Sequence, residues 1–153
     1  MKSVPKLEKH IIYLDELLQQ TAREFGWTRD EQQLLEMIKS VFIALRNKLS
    51  FEDSLLFVNL LPMSFKALYL NNWTISEQAP EPLQNMDDLV DEIIQCNSTF
   101  ISNLKGDRAS VKHLVEAVFR VISYHISKAD LETEMSFLPE DVKLYLEKHH
   151  IGE

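Results

Sequence analysis

The sequence predicts an all-α protein: a helical bundle built from two tandem four-helix repeats packed as one unit. Three observations lead there. Three glycines and five prolines in 153 residues leave little material for the turns of a β fold. Apolar residues recur at helical spacing along most of the chain. The third is an internal repeat. VFIALRNKLSFEDSLLFVNLLPMSFKALY, from Val41, aligns without a gap on VFRVISYHISKADLETEMSFLPEDVKLYL, from Val118, at an offset of 77. Identical pairs include Phe42/Phe119, Ser50/Ser127, Asp53/Asp130, Leu61/Leu138, Pro62/Pro139 and Lys66/Lys143. Upstream, DELLQ at Asp15 aligns on DEIIQ at Asp91 at an offset of 76.

The repeat places one unit at about 5–73, a linker at 74–86 and a second unit at about 87–150, within a single domain spanning 1–153. The first helix is expected from about Pro5 to Phe25, with Leu7, Ile11, Leu14, Leu18, Ala22 and Phe25 on one face. Thr28 with Glu31 forms a capping box for the second, whose stripe is Leu34, Ile38, Val41, Leu45 and Leu49. Ser50 with Asp53 caps a short third helix, and Ser127 with Asp130 repeats the device. Pro62 cannot continue that helix but can open another, so a fourth is expected from Pro62 to about Asn72. TISEQAPEPLQN carries two prolines and reads as the linker, with Asn85 and Asp88 capping the helix that follows.

The halves differ in one informative place. The first third helix carries Phe51, Leu55, Leu56 and Phe57 where the second has Lys128, Glu132, Thr133 and Glu134. Positions 58, 60 and 61 are apolar in both and are assigned to the core. A helix apolar nearly all round is covered on more than one side. The cover is expected from the other half or from the linker with Trp73 and Ile75, from a protein partner or second copy, or from a ligand in a groove lined by Phe57, Tyr69 and Trp73.

Charge and motifs restrict the chemistry. The first 76 residues hold nine acids and nine bases, the rest fifteen and seven, so the net charge of −8 lies wholly in the second half. That is poor material for binding nucleic acid, and Glu52, Asp53, Glu140 and Asp141 sit where a reading helix would begin. The start reads as a helix, not a signal peptide, no run is long enough to span a membrane, and a single cysteine suits a reducing cytoplasm. Cys96, beside Ile93 and Ile94, is expected to be a small buried side chain. Gly26, Gly106 and Gly152 stand alone, so no phosphate loop is present. Glu147 and His150 make one metal-ligand spacing without a second pair, and Asp130, Glu132 and Glu134 diverge around a helix. No catalytic residue, cofactor or metal site is assigned.

The run ALRNKLS, a short helix begun by acids, and LLPMSFKALYLNNW resemble the bacterial family known as domain of unknown function 2267. Ala44, Leu45, Arg46, Leu61, Pro62, Tyr69 and Trp73 carry the resemblance. It implies an all-helical, cytoplasmic, prokaryotic protein and no particular activity. The leading expectation is a non-catalytic cytoplasmic interaction module, self-associating through Phe51, Leu55, Leu56 and Phe57 or binding another protein. The rival is a small-molecule-binding protein or enzyme with a groove between the repeats, near Tyr69 and Trp73.

Overall fold

The computed structural model describes residues 14–26, 31–71, 73, 83–96, 108–127, 129–130 and 138–149. The expected start of the first helix before Leu14, Thr28, the whole 74–82 segment and most of the second half's third helix lie outside them. The described residues form seven helices and no strand: α1 (Leu14–Phe25), α2 (Glu31–Lys48), α3 (Phe51–Leu60), α4 (Met63–Leu70), α5 (Met86–Cys96), α6 (Arg108–Tyr124) and α7 (Glu140–His149).

The long helices α2 and α6 touch each other and carry half of the buried hydrophobics among the described residues. The expected stripe of α2 is buried throughout, and so are Met37, Phe42 and Ala44, which lie off it. A helix buried on several faces needs partners on several sides, and α2 has α1, α3, α4, α5 and α6. The arrangement of the first helices crosses the chain's midpoint. Helix α1 lies along α6, and α5 lies along α2, in the broadest contacts of the fold, while α1 meets α2 only slightly.

Local chemistry sets the helix ends. The Ser50 hydroxyl accepts from the Asp53 amide at 3.1 Å, and Ser127 does the same for Asp130 at 3.1 Å. Each oxygen satisfies an amide that the first turn leaves without a partner. Helix α3 stops at Leu60, and Pro62 stands at the N-cap of α4 with an extended backbone, its carbonyl accepting from Lys66 at 2.9 Å. Pro139 accepts from Lys143 at 3.0 Å ahead of α7. Helix α4 therefore starts one residue later than a proline at the first helical position would put it, and it ends at Leu70 instead of near Asn72. At α5, Asn85 Oδ1 accepts from the Asp88 amide and Asp88 accepts in return from Gln84, both at 2.9 Å, a reciprocal capping box. Gly26 closes α1 at φ +78, a conformation that side chains with a Cβ disfavour.

Candidate functional site

Helices α3 and α4 fold back on each other, so that the start of α3 lies beside the end of α4. Phe51 meets Trp73 with ring centroids 5.6 Å apart, and the buried Ser54 and Tyr69 hydroxyls share a 2.7 Å hydrogen bond. The inner face of this hairpin is aromatic core. Tyr69 packs on Phe42 and Phe57 at 5.6 Å each and meets Trp73 edge-on at 5.9 Å, while Phe57 reaches Phe119 of the second half at 6.4 Å. Such tilted and edge-on pairs suit the ring quadrupoles.

The outer face is what the extra apolar residues make. Phe51 is 40% exposed, Leu55 45% and Leu56 41%, and Met63 (54%) and Leu70 (45%) of α4 join them as exposed large hydrophobics. Phe57 is not among them. It is fully buried, because Ser54, Phe57, Val58 and Leu61 fall on one helical face and that face is turned inward. This spacing was readable in the sequence, but the polar Ser54 at its head hides it. Ser54 belongs in the core only because Tyr69 supplies its partner.

Tyr69 is fully buried and Trp73 half-buried, and their rings meet edge-on. Burial pushes the Tyr69 phenol up to about 12, against the opposing pull of Ser54 and the Arg46 charge. A cleft of about 480 Å³ opens between the α3–α4 corner (Leu60, Pro62, Met63, Lys66) and the end of α6 (His125, Ile126), with Asp130 also lining it.

The residues shared with the resemblance prove to be structural partners of one another. Arg46, half-buried, donates from Nη1 to the carbonyls of Tyr69 at 3.1 Å and Asn71 at 2.8 Å. It thereby closes the C-terminal end of α4, whose carbonyls have no helical partner. Leu61 and Pro62 form the buried corner at the other end. The motif is a clamp on α4.

Other polar groups favour structure over chemistry. Cys96 is exposed, not buried as expected, because it closes α5 on its outer side. Burial raises its thiol, and the Glu92 carboxylate that accepts from it at 2.8 Å raises it further, so the thiolate nucleophile is disfavoured. Among the described residues no group of three or more histidine, cysteine or acidic side chains could hold a metal. The side chains of Glu147 and His150, and those of Glu132 and Glu134, lie outside the described set. No helix among the described residues is long and apolar enough to cross a membrane.

These features define an all-helical bundle with an apolar outer hairpin face and a polar complement devoted to caps and seams. The chain belongs to the family described as uncharacterised conserved protein DUF2267, whose pattern it matches over residues 14–145. No curated protein matches it.

Proposed function

We propose that the chain is a tandem duplication serving as a non-catalytic interaction module in the bacterial cytoplasm, and that it self-associates through the outer face of α3 and α4. One observation carries the reading. Among the described residues, five of the six exposed large hydrophobics, Phe51, Leu55, Leu56, Met63 and Leu70, belong to this one hairpin. Single exposed apolar residues are ordinary, whereas a concentration of them on one surface marks an interface. A two-fold contact would set this face against its own copy, with Glu52 the one charged residue exposed on that face of α3.

The test is molar mass by light scattering for the wild type and for Leu55→Glu. The expected result is a wild-type dimer and a mutant monomer with unchanged far-UV circular dichroism, since Leu55 is half in water already. A wild type that stays monomeric at all concentrations overturns the reading.

The cleft supports a second reading, small-molecule binding between the halves. Its volume falls in the range of ligand pockets, and Lys66, His125 and Asp130 offer polar contacts beside an apolar floor. An anilinonaphthalene sulfonate probe separates the two. Fluorescence lost on filling the cleft by Met63→Trp, and kept in Leu55→Glu, favours the cleft.

A further inference from the structure

The crossed packing of the first helices is repeated in its polar detail. At one seam, α5 meets the end of α2: Glu92 accepts from Asn47 at 3.1 Å and pairs with Lys48 at 3.8 Å, while Asn47 also lies 3.5 Å from the Cys96 sulfur. At the other, α1 meets the end of α6. Gln20 Oε1 lies 3.0 Å from His125 Nε2, and the Glu16 charge favours the His125 cation against burial. Under the sequence offsets of 76 for the first helices and 77 for the long ones, Glu92 falls on Glu16 and Cys96 on Gln20. Likewise Asn47 falls on Tyr124 and Lys48 on His125. Glu92 with Lys48 at one seam thus corresponds to Glu16 with His125 at the other, while Tyr124 departs from the Asn47 pattern and turns to Glu24, which accepts from it at 2.6 Å and from Arg120 at 2.7 Å.

Helices of one half covering the long helix of the other are the arrangement of an exchanged dimer. Here both halves lie in one chain, joined covalently through residues 71–85. The broadest cover of α2 comes from α5 and that of α6 from α1, although α4 also lies against α2 and α5 against α6 within each half. We propose that each half is the other's binding partner, and that a second copy of this chain can supply it. The product is an intertwined dimer in which α1–α4 of each protomer pair with α5–α7 of its partner.

Every contact of the monomer is kept in that dimer except the path of the linker. The balance between them is then set by chain concentration against the effective concentration that covalent connection imposes, on the order of millimolar for a short linker. Dilute refolding gives the monomer, and refolding at concentrations approaching that value gives the exchanged dimer. Association through the outer face of α3 and α4 is a separate event that leaves both seams within one chain.

A disulfide placed across a seam reports the difference. In Asn47→Cys the new thiol stands beside the native Cys96, joining α2 to α5. The variant is refolded dilute and concentrated, oxidised, and run with and without reductant. The expected outcome is an internal cross-link in the dilute sample and a covalent dimer, collapsing to monomer on reduction, in the concentrated one. The unsubstituted chain, with Cys96 alone, reports non-specific linkage. A second reporter, Gln20→Cys with His125→Cys in a Cys96→Ser background, places a bridge at the other seam, where these two side chains meet, should the first variant not fold. Internal cross-links at both concentrations overturn the proposal. So does a non-covalent dimer whose cross-links all stay internal, an outcome that instead supports surface association.

Discussion

Tyr69 shows how one side chain can fix the interpretation of a whole segment. Its hydroxyl is the partner that lets Ser54 enter the core, and Ser54 in turn decides which way α3 faces. Removing either hydroxyl strands the other in an apolar setting, which costs about 1–3 kcal/mol. We expect Tyr69→Phe and Ser54→Ala each to lower the denaturant midpoint, and the double variant to lose clearly less than the sum. The raised phenol has an alkaline consequence. With the folded group near 12 and the unfolded group near its ordinary 10, the native state keeps a proton that the unfolded chain releases. Stability is therefore complete below pH 10 and falls as pH rises toward 12, by roughly 2–3 kcal/mol over that window. Tyr69→Phe should flatten this decline in an alkaline series of urea titrations; an unchanged slope would assign it to other groups.

Within single elements, much was legible. The Ser50 and Ser127 caps, the Asn85–Asp88 box and the proline corner are short-range chemistry, decided by residues within four positions of one another, and the sequence displays them directly. Ser50→Ala should cost about 1 kcal/mol of unfolding free energy, and Ser50→Asp should restore most of it, because a carboxylate also accepts from the Asp53 amide. The facing of α3 was less legible. Both its sides are apolar, so composition separates an outer row of Phe51, Leu55 and Leu56 from an inner row containing Phe57 only when the partner across the hairpin is known. Cys96 failed for the same kind of reason: its sequence neighbours Ile93 and Ile94 face inward, but it stands one helical step around from them.

At the scale of the molecule, the repeat predicts two alike units but not which unit covers which. That depends on contacts spanning up to 105 residues, such as His125 to Gln20, and no local pattern encodes them. The crossed packing makes the halves one cooperative body. Thermal unfolding followed by far-UV circular dichroism and by tryptophan fluorescence should give coincident single transitions; two separated transitions would contradict the mutual cover of α2 and α6. The α1–α6 seam is also the acid-sensitive one. Burial lowers His125 despite the Glu16 charge, so the unfolded chain takes up its proton first and stability falls as pH drops through about 6.5. For Glu24, burial is outweighed by the hydrogen bonds from Tyr124 and Arg120, which hold it below the ordinary carboxylate range. Its contribution is present above that range and is lost at lower pH still. His125→Gln should remove the first of these two phases and leave the second in an acid titration of the unfolding midpoint.

The crossing of α1 onto α6 also fixes the order in which the protein can be made. As translation proceeds, α1 leaves the ribosome with its apolar face uncovered, and the helix that will cover it has yet to be synthesised. Helix α2 meets its own cover, α5, sooner. The nascent chain thus carries an incompletely covered apolar helix until α6 is made, the condition under which chaperones bind, and the packing of α1 is completed only when α6 emerges.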